Sequence, residues 1–248
     1  MNSRFFTWRA GRVVPYDVLI RCKNEMADLP DAARALAAQS ISPNKVVFVD
    51  SGSTDGSREF ALENGYEVVD YVTPKFNYSE SLNLGMECCT SPRVLVLSAH
   101  CILVDTISAE RLLESMDIFK AAGVFGRQIP TERSDPLDIR DLLTVFGRER
   151  VIYEEHPFFH NAFSMIQRTM WEEVPFDDRI NGIEDRLWAL EVCRRGHKIV
   201  YEPNAVVYHE HGLNQTSDPA RALRVCRALA TLHDDDIVKF SREIRADV

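Results

Sequence analysis

Lys45-Val-Val-Phe-Val-Asp-Ser-Gly-Ser-Thr-Asp-Gly-Ser57 decides how this chain folds. Its first five residues, Lys45–Val49, form an apolar, β-branched run of the kind buried in a parallel sheet. The residues after it, Arg58-Glu-Phe-Ala-Leu-Glu-Asn64, read as a short helix that stops before Gly65. A strand therefore delivers Asp50 to its carboxyl end. A Ser/Gly turn follows, and Asp55 or Ser53 is placed to cap the next helix. Ligands of open α/β sheets sit in that crevice, where a carboxylate accepts hydrogen bonds from a base or a ribose. A plain capped turn uses the same residues, so the stretch alone leaves both readings open.

Outward from this turn the first half of the chain alternates strand and helix. Strands are expected at 17–22, 45–50, 67–71, 93–97 and 124–128, and helices at about 29–39, 57–64, 78–89 and 108–121. That is the pattern of an α/β fold with a mostly parallel central sheet flanked by helices. Asn77 is spaced to cap the third helix, with Glu80 three residues on. After Pro130 the pattern loosens, and His156-Pro-Phe-Phe-His-Asn161 shows no clean period. Residues 138–150 and 184–195 read as helices, 162–166 as a strand, and 198–208 as strand, turn, strand. A last amphipathic helix is expected from about Pro219 to Phe240, packed back on the domain. One domain over residues 1–248, with a helical extension at about 213–248, is the natural division at this size.

Composition narrows the class. A hydrophobic share of 45% supports a full core. A net charge of −9 argues against nucleic acid as partner. The six cysteines form no Cys-x-x-Cys pair, which fits buried, reduced thiols in a cytoplasm. No apolar run approaches the ~20 residues that span a bilayer. The expected location is therefore cytoplasmic, with room for peripheral contact at the inner face of the membrane.

Two further clusters carry chemistry. Glu184 and Asp185 open a helix, and adjacent acids at a cleft have pKa values pushed apart. The helical pattern places Glu184, Trp188 and Cys193 on differing faces, so the two carboxylates are expected in different environments. A dipole-complementing acid pair is the simpler alternative. In Val206-Val-Tyr-His-Glu-His-Gly212, His209 and His211 alternate onto one strand face and are spaced to share a metal ion.

Taken in order, five segments resemble family 2 glycosyltransferases, enzymes of the GT-A fold, over roughly residues 15–212. They are the Asp50 turn, Val18-Leu-Ile-Arg-Cys-Lys-Asn-Glu25, Phe76-Asn-Tyr-Ser-Glu-Ser-Leu-Asn-Leu-Gly85, Val94-Leu-Val-Leu-Ser-Ala-His100 and Gly182-Ile-Glu-Asp-Arg-Leu-Trp188. The resemblance implies an inverting transfer of a sugar from a nucleoside-diphosphate sugar to a carbohydrate or lipid-linked acceptor. Gly126-Arg-Gln-Ile-Pro130 resembles a rhamnosyltransferase-like subgroup that builds bacterial surface polysaccharide.

The same resemblance distributes roles. Asp185 would be the general base, with Glu184 orienting the acceptor. Arg21, Lys23, Asn24, Asp50, Ser53, Lys75, Asn83 and Ser98 would frame the nucleotide. The family often carries an Arg before Asn83, where this chain has Ser81 and Leu82. The family's Asp-x-Asp metal motif is replaced here by Ser98-Ala-His100. Imidazole suits softer ions than the oxygen-loving Mg2+. His100, with His209 or His211, is therefore expected to hold a divalent ion, Mn2+ in preference to Mg2+. A cationic His100 meeting the diphosphate directly is the rival. Two other classes compete: a zinc-dependent hydrolase built from the histidines, and a GT-A domain that binds a nucleotide sugar without turning it over.

Overall fold

The computed structural model describes residues 15–179 and 181–210. The expected C-terminal helix, His211 and Cys226 lie outside these residues. In the first half, β1 (Tyr16–Cys22), α1 (Leu29–Ala37), β2 (Val46–Asp50), α2 (Ser57–Glu63), β3 (Glu67–Asp70), α3 (Tyr78–Cys88) and β4 (Arg93–Ser98) alternate as expected. They are followed by β5 (Ile102–Leu103), α4 (Ser108–Phe119), β6 (Ala121–Ile129), α5 (Pro136–Val145) and β7 (Val151–Tyr153). The last described elements are β8 (Phe163–Gln167), α6 (Arg168–Glu173), α7 (Glu184–Arg194) and β9 (Lys198–Tyr208).

These strands form one sheet in the order β3-β2-β1-β4-β8-β6-β9-β5, with β7 also on β9. β3, β2, β1 and β4 pair in parallel. β8 lies antiparallel between β4 and β6, and β9 runs parallel to β6. So β1, β2, β3, β4, β6 and β9 all point one way, and their carboxyl ends share one edge. The amino end of the reversed β8 meets them there.

Alternation along the strands sorts the core into two layers. Val18, Ile20, Phe48, Leu95 and Leu97 face α1 and α4, while Leu19, Val47, Val49, Val94 and Val96 face α3 and α7. α3 approaches the sheet closely at Gly85. A Cβ there would lie against Leu19 and only 2.9 Å from the Val49 side chain, so only glycine fits. β9 departs from the expected strand-turn-strand. It is continuous, and its register on β6 jumps from Gly126–Glu202 to Arg127–Val206. Pro203, Asn204 and Ala205 form a bulge rather than a turn. Among the described residues, no helix is long and apolar enough to cross a membrane.

Candidate active site

A cleft of about 560 Å³ opens at the shared carboxyl edge. β1 contributes Arg21 to its wall, Lys23 and Glu25 follow that strand, and Ser51 follows β2. Ser98 and His100 follow β4, and His209 follows β9. α7 brings Glu184 and Asp185 with its first turn, and the residues before β8 bring His160 and Asn161.

The acid pair divides as its surroundings dictate. Glu184 is 5% exposed, and one carboxylate oxygen, Oε2, has no hydrogen-bond partner in the protein. Burial, then the charge of Asp185, pushes its pKa up to about 7, against the pull of Arg21. Asp185 is half-buried. It accepts a hydrogen bond from the Asn161 backbone N–H at 3.2 Å and one from the Arg186 N–H at 2.8 Å. Helical spacing puts Glu184 and Trp188 on one face, which corrects that part of the expectation, while Cys193 stays on the other side of the helix. Glu184 and Trp188 stand one turn apart on the helix, and Trp188 belongs to the core at 1% exposure.

Opposite, His100 and His209 stack at 9°, with their Nε2 atoms 3.1 Å apart. Nδ1 of His100 lies 3.1 Å from the Glu25 carboxylate. Cys101 Sγ is in the same cluster. Burial raises that thiol above its ordinary range. Arg21 rests its guanidinium 4.8 Å from the centre of the Tyr78 ring, which also lines the cleft.

Arg21, Lys23, Ser98, His100, His209, Glu184 and Asp185 thus come together in the cleft wall, and five other expected residues do not. Asp50 is 1% exposed, and its carboxylate accepts from the Gly52 and Ser53 amides at 3.1 Å. It shapes the turn from beneath, and Ser51 is the residue that reaches the cleft. Asn24 and Ser53 tie β1 to that turn: Ser53 Oγ accepts from Asn24 N–H at 3.0 Å, and Asn24 Oδ1 accepts from Thr54 N–H at 2.8 Å. Asp55 joins them by accepting from Met26 N–H and Ser57 N–H. Lys75 is exposed outside the wall. Asn83 points away into the fold. Its Oδ1 accepts from Trp171 Nε1 and Phe176 N–H, and its Nδ2 donates to the Phe176 carbonyl.

Glu25, Tyr78, His160 and Asn161 were not singled out as site residues. The Asn-Glu end of β1 was the available signal for Glu25. His160 and Asn161 sit in a stretch without period, so nothing local marked them.

Comparison with known proteins gives this geometry a context. The family model for glycosyl transferase family 2 matches residues 17–174. The chain is 25% identical over 194 residues to the O-antigen chain rhamnosyltransferase RfbN of Salmonella typhimurium. It is 26% identical over 188 residues to the O-antigen chain rhamnosyltransferase WbaN of Salmonella anatum. The matches take in 73% and 71% of this chain but 62% and 60% of those relatives, so it spans about three fifths of their length. The mannosyltransferase PcManGT from Pyrobaculum calidifontis, solved with GDP-Man and Mn2+, superposes with a TM-score of 0.66 at 19% identity. That superposition covers 89% of this chain and 65% of the other. Residues 1–349 of S. aureus TarS, solved with UDP, give a TM-score of 0.64 at 13% identity, covering 88% and 64%. Both share the GT-A fold.

Proposed function

Because the chain belongs to glycosyl transferase family 2, we propose that this cleft moves a sugar, with inversion, from a nucleoside-diphosphate sugar to an acceptor hydroxyl. The observation that carries the reading is a carboxylate, two cations and an imidazole pair facing one another at a single sheet edge. Asp185 takes the proton of the acceptor hydroxyl. The acceptor oxygen bonds to the anomeric carbon from the face opposite the leaving group. The anomeric C–O bond breaks, and its electron pair departs on the nucleoside diphosphate. A positioned base contributes ~10²–10⁴-fold. Arg21 and Lys23 are placed to meet the negative charge that collects on the leaving diphosphate.

We assign the His100–His209 pair to a divalent ion. Two imidazole nitrogens 3.1 Å apart can both reach one ion at the usual distance of about 2.0–2.1 Å. The Glu25 carboxylate on His100 Nδ1 is the arrangement that orients a ligating imidazole. When bound, the ion neutralises diphosphate charge. Nitrogen ligands favour Mn2+ over Mg2+, and PcManGT was solved with Mn2+. The zinc hydrolase explains the histidines but gives the first turn of α7 no task. A binding-only module gives Asp185 none.

The relatives' names support a role in bacterial polysaccharide or glycolipid synthesis, with a deoxyhexose as the transferred sugar. The free cysteines among the described residues support a reducing, cytoplasmic setting. The test is a thermal-shift screen against UDP, GDP and dTDP with Mn2+, followed by transfer assays with the matching sugars. A ligand at ~100 times its dissociation constant adds ~2.7 kcal/mol. Absence of a shift with every nucleoside diphosphate would refute the reading.

A further inference from the structure

Backbone geometry alone holds Cys101 beside the two imidazoles. Ser98-Ala-His-Cys101 closes a turn in which the Cys101 N–H donates to the Ser98 carbonyl at 2.9 Å. β5 then pairs with β9, so that Ile102 stands opposite Tyr208 and Leu103 opposite Val207. One step further along the same antiparallel register, Cys101 faces His209. His209 is fixed in turn by its N–H on the Ile129 carbonyl at 2.9 Å. The turn thus sets Cys101 next to His100, and the register sets it across from His209. Its Sγ and one nitrogen of each ring all lie within 4.8 Å of one another. Among the described residues, no other three histidine, cysteine or acidic side chains converge in this way.

Both imidazoles line the cleft, whereas Cys101 is fully buried and does not. The sulfur would therefore meet an ion from the core side, and the cleft side stays open to substrate. Three protein ligands with one position left for water or substrate is the pattern of a catalytic centre. We propose that the Cys101 thiolate is a third protein ligand of the ion assigned to His100 and His209, so that the site is a soft, two-imidazole, one-thiolate centre that binds Zn2+ and Co2+ more tightly than Mn2+. A coordinating thiol is deprotonated outright, and its proton leaves to solvent as the metal–sulfur bond forms. Thiolate and imidazole donors set this order among the softer ions, and Mg2+, which takes oxygen ligands, stays last. The proposal deepens the metal assignment made for the glycosyl-transfer cleft and rests on it.

The test follows metal uptake by the full chain, stripped of metal and with no sugar nucleotide present. Titration with Co2+ should raise a near-ultraviolet thiolate-to-cobalt charge-transfer band that saturates at one ion per chain. X-ray absorption of the zinc-loaded protein should show sulfur at about 2.3 Å beside nitrogen at about 2.0–2.1 Å. Cys101→Ser should lose the charge-transfer band and weaken Zn2+ binding by about tenfold or more in competition with a chromophoric chelator. It should weaken Mn2+ binding by a smaller factor. Cys22→Ser, at the thiol that lines the cleft, should keep the band. Co2+ uptake without the band, a band that survives in Cys101→Ser, or zinc held by nitrogen and oxygen alone overturns the proposal. So does an affinity for Zn2+ no greater than that for Mn2+. If Cys101→Ser does not fold, X-ray absorption of the unaltered protein still decides. A chain that takes up no ion but is stabilised by a nucleoside diphosphate overturns the metal centre and leaves glycosyl transfer standing. A chain that binds the ion through sulfur but no nucleoside diphosphate upholds the centre and strikes the glycosyl-transfer reading itself.

Discussion

Asp185 and Glu184 are neighbours in the chain but not in chemistry. Asp185 is half-buried and held by two backbone N–H groups, whereas Glu184 is enclosed and carries a raised pKa. Asp185→Asn keeps the size and loses the proton acceptor. The expected outcome is a fall in kcat of ~10²-fold or more, with the nucleotide thermal shift retained. A variant keeping more than about a tenth of the activity would remove Asp185 from the role of base. Glu184 makes a prediction about stability. Its folded pKa, about 7, lies above the ordinary carboxyl value of 4.5, so the folded state holds the proton more tightly. Its favourable contribution is complete below the unfolded pKa and is lost as pH rises through the folded one. Urea melts of the wild type against Glu184→Gln should diverge between about pH 4.5 and 7, by up to ~1.4 kcal/mol per pH unit, with the wild type losing ground. Parallel stability curves over that window would contradict the buried-acid assignment.

Asn83 and Gly85 belong to the scale of elements, for they dock α3. The motif spacing was legible in the sequence, and the structure engages both residues in packing. Asn83 ties the helix to Trp171 and Phe176 by three hydrogen bonds, and Gly85 admits Leu19 and Val49 against the helix backbone. Asn83→Ala strands buried partners at about 1–3 kcal/mol each. Gly85→Ala overpacks at about 1–3 kcal/mol. Each should lower Tm by several °C, at about 2–4 °C per kcal/mol for this size. Below the transition, nucleoside-diphosphate affinity should be unchanged for Asn83→Ala, as titration calorimetry would report. A weakened affinity with unaltered Tm would restore the nucleotide role. Turn chemistry, by contrast, was read correctly at Asn77, whose side chain accepts from the Ser79 and Glu80 N–H groups.

The site exists only at the scale of the whole molecule, because its parts come from β1, β4, α7, β9 and the approach to β8. The imidazole pair shows this best, with His100 and His209 separated by 109 residues and joined at 3.1 Å. Excess EDTA should abolish transfer, and Mn2+ should restore it better than Mg2+. His209→Ala should weaken Mn2+ binding, followed by the loss of the free-ion EPR signal on titration. Full activity in the chelator would instead make His100 a phosphate clamp. Local sequence determined the alternation of strands and helices, the Asn77 cap, and the acid pair on α7, because periodicity and turn chemistry act over a few residues; at α2 the N-cap is Gly56, not the expected Asp55 or Ser53. It also marked Arg21, Lys23, Ser98 and His100, since strand ends in a parallel sheet point to one edge. Only the tertiary structure separated Ser51 from Asp50, since which of two adjacent residues faces the cleft depends on how the turn folds under it. Only the tertiary structure brought in His160 and Asn161, which precede the one long strand that runs backwards. A strand's direction in the sheet is set by its neighbours, and no pattern within the strand records it.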